Sequence, residues 1–213
     1  MKTILLFGDS NTHGANPKGE RRFARHERWG GVCADQLGSD YTVIEEGCGG
    51  RTTVHDDPIE GALQGSKNGL SYLLPCLHSH RPVDLLVILL GTNDLKKRFS
   101  LPPQDVAAGA GVLIGAALKT DMGVDGSAPH ILLICPPPFA PLEGTPFVEM
   151  FEGGFEKSHQ LAPHYERIAS LYGVDYMNAG DVVTSSTIDG IHWEVEEHRK
   201  LGIAAAAKIA TIL

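Results

Sequence analysis

Five short apolar runs alternate along the chain with longer segments that carry apolar residues at helical spacing. The runs predict buried strands at 3–7, 41–45, 84–90, 131–135 and 174–177. The segments between them predict helices at 29–38, 71–80, 102–119, 154–172 and 194–213. Because strands and helices alternate, the pattern predicts an α/β fold with a parallel sheet and helices on both faces, in one domain over residues 1–213. The run at 84–90 is the most apolar, so we expect it at the sheet centre.

Three segments lack a clear period. We expect 11–28 to form a lid, a rim or an oligomer contact, because it is too long for a simple connection. Segment 139–151 predicts a second rim loop, and 55–68 is predicted to be irregular. Pro163 predicts a kink or break within the helix at 154–172.

Composition and charge narrow the choice of partners. The 213 residues carry a net charge of −8 with no basic run, which argues against nucleic acid and anionic membranes as partners. No apolar stretch has transmembrane length, and the N-terminus lacks a signal-peptide pattern. The four cysteines are widely spaced, which is typical of reduced thiols in a cytoplasmic protein. We expect no metal or other cofactor, since His55, Asp56 and Asp57 have no second ligand pair at suitable spacing and belong to a solvated loop.

Three predicted strands end in polar or glycine-rich turns. Ser10 follows the first strand, a turn containing Gly50 follows the second, and Asn93 follows the run at 84–90. The carboxyl ends of parallel strands meet at one edge of a sheet, where ligands bind. We therefore expect these three residues to lie close together. Taken alone, a serine in this position is more often a helix N-cap.

A later loop supplies Asp189 and His192, which complete a chemically meaningful set. A serine hydroxyl needs a base to take its proton, and the base needs a carboxylate to orient it. The intervening Gly190 lets the carboxylate fold back onto the imidazole. The negative oxygen of a tetrahedral intermediate needs preformed donors. Candidate donors are the N–H of Ser10, the side-chain amide of Asn93 and the N–H of Gly50, with Gly47 or Gly49 as alternatives to Gly50.

These motifs resemble the four sequence blocks of the SGNH (GDSL-type) esterase family. In family order they are Gly8-Asp9-Ser10, Gly50, Gly91-Thr92-Asn93-Asp94 and Asp189-Gly190-Ile191-His192. The resemblance spans almost the whole chain, although Asn11 stands where leucine is usual. It implies a flavodoxin-like three-layer α/β/α fold and ester hydrolysis without a metal. It also implies a catalytic Ser10, Asp189 and His192, and an oxyanion hole formed by Ser10, Gly50 and Asn93.

Further segments resemble the arylesterase/acyltransferase branch of that family. They are Glu45-Glu46-Gly47, Arg51-Thr52-Thr53, Pro136-Pro137-Pro138 and Phe151-Glu152-Gly153-Gly154. The branch implies a homo-oligomer with a narrow apolar channel, short acyl groups, and acyl transfer to alcohols or peroxide. This chain has His13 where the branch often has tryptophan.

Several side chains are candidates for the substrate pocket or its supports. Aromatic residues near a strand end are more often core, but pocket candidates are His13, Phe147, Phe151 and Ile191. We expect Arg51 to pair with a nearby carboxylate and hold the glycine turn. His26, His78, His80 and His198 are expected at the surface or rim, as is His13 if it does not line the pocket.

The sequence thus favours a serine esterase that hydrolyses short-chain aryl or alkyl esters through an acyl-enzyme intermediate. One alternative is a carbohydrate O-deacetylase or thioesterase that uses the same three residues. Another is a flavodoxin-like module that binds an anionic ligand at the strand ends. That module would have no use for Asp189 and His192 in one loop.

Overall fold

The computed structural model describes all 213 residues, and a five-stranded sheet forms its centre. The strands are β1 (Lys2–Gly8), β2 (Tyr41–Gly47), β3 (Leu85–Leu89), β4 (His130–Cys135) and β5 (Asp175–Asn178). They pair in the order β2-β1-β3-β4-β5, and every pair is parallel. The predicted parallel sheet is confirmed, with the most apolar strand in the middle.

Eight helices connect the strands. They are α1 (Ser10–His13), α2 (Trp29–Leu37), α3 (Glu60–Gln64), α4 (Gly69–His80), α5 (Pro103–Ala117), α6 (Gly154–Ser158), α7 (Leu161–Tyr172) and α8 (Val195–Ile212). Helices α4, α5 and α7 pack on one face of the sheet, and α2 and α8 pack on the other. This is the expected three-layer α/β/α arrangement. None of these helices combines the length and apolar character that crossing a bilayer requires.

The continuous apolar run of β1 follows from burial on both faces. Leu5 and Phe7 point into the core shared with α4, α5 and α7, whereas Ile4 and Leu6 point into the core shared with α2 and α8. All four side chains are fully buried. Each such burial contributes about 1.5–3 kcal/mol, so both sides hold the strand in place. A rigid β1 gives the turn that follows it a fixed position.

Local predictions were less accurate between the strands. The single helix predicted over 154–172 is divided into α6 and α7, and Pro163 lies in the first turn of α7, where its missing N–H costs nothing. The prediction of an irregular 55–68 was wrong at 60–64, which form α3. The polar segment 11–28 was also partly wrong as a loop, because it begins within α1 and contains the short 3₁₀ turn Arg25–Glu27.

Candidate active site

Ser10 is the first residue of α1 and is separated from the end of β1 by Asp9 alone. The N-cap of this helix is Asp9, whose carboxylate accepts a hydrogen bond from the N–H of Asn11 at 3.0 Å. The alternative in which Ser10 is the capping residue is therefore wrong. Because Asp9 caps the helix, the Ser10 hydroxyl is not needed for that role, and Ser10 lines a cavity with 8% of the residue exposed.

The loop that precedes α8 brings His192 to this hydroxyl. His192 Nε2 lies 3.0 Å from Ser10 Oγ, and His192 Nδ1 lies 2.6 Å from Asp189 Oδ2. The other carboxylate oxygen of Asp189 accepts the N–H groups of Ile191 and His192, each at 2.9 Å. Burial alone would raise the pKa of Asp189, but the hydrogen bonds from His192 and these N–H groups lower it below its usual value. An ionised Asp189 favours a proton on Nδ1, which leaves Nε2 to accept the serine proton.

The same loop is fixed at several points. Gly190 has a φ of +82°, and a Cβ there would lie 2.4 Å from a methyl carbon of Leu142. Its N–H donates to the carbonyl of Ser186 at 2.9 Å. Its own carbonyl accepts from the N–H of Ala140 at 3.0 Å. Glycine is therefore required between Asp189 and His192 for both the turn and the packing.

Three hydrogen-bond donors converge beside Ser10. The N–H of Ser10 lies in the first turn of α1 and has no intrahelical acceptor. The N–H of Gly50, a residue with a φ of +78°, has no acceptor within the protein. Asn93 uses one amide hydrogen on the carbonyl of Arg51 at 3.1 Å, which leaves the second available. The three predicted oxyanion donors thus share one cavity of about 200 Å³.

The two alternatives to Gly50 differ in position. Gly47 packs against the backbone of His13 and does not line the cavity, so its proposed role as donor was wrong. Gly49 lines the cavity beside Gly50.

Arg51 holds the glycine turn, although not through the predicted carboxylate. Its guanidinium donates to the carbonyl of Gly8 at 2.9 Å and also to the carbonyl of Glu46. The guanidinium carbon lies 4.3 Å from the centre of the Phe7 ring. This side chain therefore joins the ends of β1 and β2 on which the Ser10 and Gly50 turns depend.

A buried carboxylate joins the glycine turn to the end of β3. Asp94 accepts hydrogen bonds from the N–H of Thr53 at 3.0 and 3.1 Å. Burial raises the pKa of Asp94 to about 6, although the hydrogen bonds from Thr53 partly oppose that rise. These contacts align the turn that carries Gly50 with the one that carries Asn93.

Apolar side chains form one wall of the cavity. Phe147, Phe151 and Ile191 line it as predicted, together with Met150, which was not predicted. His13 does not line this cavity. It lies instead in an adjoining groove of about 460 Å³ that shares Phe147 and His192 with the cavity.

The cavity lining also contains two charged residues that were not predicted, Glu60 and Lys96. Lys96 Nζ lies 2.8 Å from Glu60 Oε1 and 3.0 Å from Asp57 Oδ2, and Arg98 lies 2.7 Å from Asp57 Oδ1. The expectation of a solvated loop at 55–57 was therefore wrong for Asp57, which is buried. No local pattern marks Glu60, since its relation to the cavity arises only in three dimensions.

Two further groups lie outside the cavity. His198, expected at the surface, is fully buried, and burial lowers its pKa to about 3. Glu46, Cys76 and His80 place possible metal-ligand atoms within 4.8 Å of one another. In the structure Glu46 is already hydrogen-bonded to His80 at 2.8 Å and to Tyr72 at 3.2 Å.

Residues 6–198 match the model of the GDSL-like Lipase/Acylhydrolase family. The chain belongs to this family. The SGNH resemblance is thereby confirmed, and this GDSL-like acylhydrolase is a carboxylic ester hydrolase. A search of curated proteins found no match.

Solved structures of similar proteins agree with this membership. Est24, a carbohydrate acetylesterase from Sinorhizobium meliloti, is 40% identical with a TM-score of 0.93, and each chain is covered completely. The aryl esterase of M. smegmatis is 43% identical with a TM-score of 0.92, again with complete coverage of both chains. A carbohydrate acetylesterase family member from Sinorhizobium meliloti is 35% identical, with a TM-score of 0.94, over 100% of this chain and 99% of that one.

Proposed function

We propose that this GDSL-like acylhydrolase is a serine esterase that cleaves short-chain aryl and alkyl esters through an acyl-enzyme on Ser10. One observation carries the proposal. Ser10 Oγ lies 3.0 Å from His192 Nε2, with Asp189 bound to the far side of the imidazole, beside three convergent donors. This geometry has the parts that acyl transfer needs: nucleophile, base, orienting carboxylate and oxyanion donors.

In the acylation half, Ser10 Oγ attacks the ester carbonyl carbon while His192 Nε2 takes the hydroxyl proton. The carboxylate of Asp189 stabilises the imidazolium that forms. The carbonyl oxygen becomes negative and accepts hydrogen bonds from the N–H groups of Ser10 and Gly50 and from the amide of Asn93. When the tetrahedral intermediate collapses, His192 returns the proton to the leaving alkoxide, and the acyl group stays on Ser10.

In the deacylation half, His192 takes a proton from water, and the hydroxide attacks the acyl-enzyme carbonyl. The same donors stabilise the second intermediate. Its collapse breaks the bond to Ser10 Oγ, which takes back the proton from His192, so that the carboxylic acid is released and the Ser10 hydroxyl is restored. An alcohol or a peroxide that replaces water at this step gives acyl transfer. We include such transfer in the proposal, because the adjoining groove reaches His192 from solvent.

The two compartments support a division of the substrate. The cavity of about 200 Å³ behind Phe147 and Ile191 suits a short acyl group. The groove of about 460 Å³ would receive the leaving group, since it also contacts His192. Four polar side chains in its lining favour a second candidate function, deacetylation of a carbohydrate, because they can form hydrogen bonds with a hydroxyl-rich leaving group. They are Asn16, Lys18, Glu20 and Arg22.

The proposal extends to assembly and location. Ile59, the residue before α3, and Leu63, within α3, are 61% and 87% exposed, which supports a homo-oligomer contact at that surface. Four unpaired cysteines, three of them buried, support a cytoplasmic location. Sedimentation of the wild type and Leu63→Glu tests the assembly, since a monomer at all concentrations for both would contradict it.

The test of the function is hydrolysis of phenyl acetate by wild type, Ser10→Ala and the control Ser79→Ala at an exposed site. We expect Ser10→Ala to lower kcat by about 10⁴-fold or more and the control to match wild type. A serine-directed phosphonate should label the wild type once and leave Ser10→Ala unlabelled. Activity that survives in Ser10→Ala would exclude the mechanism. An acetylated sugar, an acetyl thioester and phenyl acetate, compared by kcat/KM, separate the candidate substrates.

A further inference from the structure

The carboxylate of Glu60 in the cavity wall has one oxygen engaged and one oxygen open. Oε1 lies 2.8 Å from Lys96 Nζ. Oε2 accepts no hydrogen bond from the protein and lies beside Gly50, where a Cβ would be 2.3 Å away from it. Ester hydrolysis through Ser10, His192 and Asp189 needs no group at this position. The open oxygen is therefore an acceptor that lines the acyl cavity without an assigned role.

The surroundings of Glu60 decide which partner Oε2 can take. Lys96 is 1% exposed and is also held by Asp57 at 3.0 Å, so its charge is already balanced by two carboxylates. An anionic acyl group would meet the repulsion of Glu60. An acyl group that carries an ammonium would be repelled by Lys96, which is bound to the same carboxylate. A purely apolar acyl group would remove water from Oε2 and offer no donor in return, which is costly for a carboxylate oxygen. A neutral hydroxyl avoids all three penalties.

We propose that Glu60 Oε2 accepts a hydrogen bond from a hydroxyl on the acyl group, so that short hydroxyacyl esters are preferred over unsubstituted esters of the same length. The inference rests on the proposed function, because it places the acyl group in the cavity beside Gly50. The apolar side chains of Phe147, Met150 and Ile191 contact the carbon chain, and Glu60, beside Gly50 in the same lining, receives the hydroxyl. A site that binds a substrate hydroxyl discriminates strongly against the analogue without it.

The experiment compares matched phenyl esters: 3-hydroxybutanoate with butanoate, and 2-hydroxypropanoate with propanoate. Each kcat/KM is divided by the rate of alkaline hydrolysis, which removes the inductive effect of the hydroxyl. For the wild type we expect a preference of about tenfold for the hydroxyacyl ester in at least one pair. Glu60→Met should bring that ratio to about one, and Glu60→Gln, which keeps a neutral acceptor, should give an intermediate ratio. The control Glu166→Met, at an exposed position of α7, should keep the wild-type ratio.

Ratios between two esters on one preparation do not depend on the fraction of folded enzyme. A wild-type ratio near one for both pairs overturns the assignment even if no Glu60 variant folds. A ratio that persists in Glu60→Met also overturns it, because the hydroxyl would then bind elsewhere.

Phenyl acetate, assayed alongside, separates this inference from the proposed function. If phenyl acetate turnover does not depend on Ser10, the proposed function fails. If turnover depends on Ser10 but the hydroxyl ratios are one, only the role of Glu60 fails.

Discussion

Two polar clusters contribute side chains to the lining of the same cavity, and each joins a carboxylate to a basic side chain. In the first, Asp189 holds His192 at 2.6 Å, and His192 reaches Ser10. In the second, Asp57 and Glu60 hold Lys96 at 3.0 and 2.8 Å. The first cluster is a chain of hydrogen bonds that ends at the Ser10 hydroxyl. In the second cluster, the ammonium group of Lys96 is enclosed by two carboxylates.

The number of partners separates their roles. The His192 side chain is 14% exposed, and its Nε2 has only the Ser10 hydroxyl as a partner, so a proton can move along this chain. Lys96 is 1% exposed and doubly paired, and the side chain of Asp57 is fully buried with Arg98 as a second cation. Neither cation in this network is free to release a proton. We therefore expect the network to hold α3 and the cavity wall in position.

The largest expected effect is on the cluster of Ser10, His192 and Asp189, in the variant Asp189→Asn. The amide cannot stabilise the imidazolium and favours the wrong His192 tautomer, so we expect kcat for phenyl acetate to fall about 10⁴-fold. Stopped-flow and steady-state kinetics measure this change, with thermal unfolding as the check on folding. A loss below tenfold in a folded variant would show that Asp189 only anchors the loop.

In the cluster of Asp57, Glu60 and Lys96, the expected effect is a loss of folding stability. Asp57→Asn leaves Lys96 and Arg98 short of a buried counter-charge, and we expect the free energy of unfolding to fall by about 3–5 kcal/mol. Urea unfolding at neutral pH measures it, with the isosteric substitution Asp56→Asn on the exposed neighbour as control. An unchanged midpoint would mean that the network contributes no net stability.

The same variant has a predicted pH dependence. Burial alone would raise the pKa of Asp57, but hydrogen bonds from the backbone of Glu60 and from Lys96 lower it to about 2, from 3.8. A lowered carboxyl pKa stabilises the folded state above the unfolded pKa. The stabilisation is lost as pH falls through the folded pKa. The stability difference between wild type and Asp57→Asn should therefore shrink between about pH 4 and pH 2.

Removing an oxyanion donor should cost less than breaking the Asp189 pair. We expect Asn93→Ala to lower kcat by about 10²–10³-fold, or about 2.7–4 kcal/mol, with little change in KM. Steady-state kinetics on phenyl acetate measure the two constants separately. A rise in KM at constant kcat would mean that Asn93 binds the ground state instead.

The smallest expected effect concerns the residue next to Lys96. Lys97 forms an ion pair with Glu152 at 3.0 Å, and their side chains are 57% and 68% exposed. Glu152→Gln should change the free energy of unfolding by less than about 0.5 kcal/mol, because solvent screens exposed pairs. Urea unfolding beside Asp57→Asn tests the contrast. Similar losses in both variants would show that burial does not explain it.

Sequence patterns predicted the structure correctly where a short segment alone determines it. The β1 run predicted a doubly buried strand, and the polar residues after it predicted a site at the strand ends. His198 was misjudged although a signal existed, since it shares a helical face with Leu201 and Ala205, both buried. The pattern of helix α8 outweighs the polarity of one imidazole, which is buried in its neutral form.

Other features left no trace in the sequence. Asp57 and Lys96 are 39 residues apart in the sequence, and they pair only because the chain before α3 lies close to the turn after β3. The displacement of His13 into the outer groove and the exclusion of Gly47 likewise depend on how α1 packs on β2.

The sequence by itself therefore determined the alternation of strands and helices, the sheet edge at which Ser10, Gly50 and Asn93 meet, and the membership of Asp189 and His192 in the same site. Apolar periodicity and the polar strand ends are properties of short segments, so they can be recognised in the sequence without knowledge of the fold. Only the tertiary structure decided which glycine N–H is open, which wall of the cavity is charged and where Glu60 lies. Those outcomes depend on contacts between distant segments, whose geometry is fixed when the layers pack together.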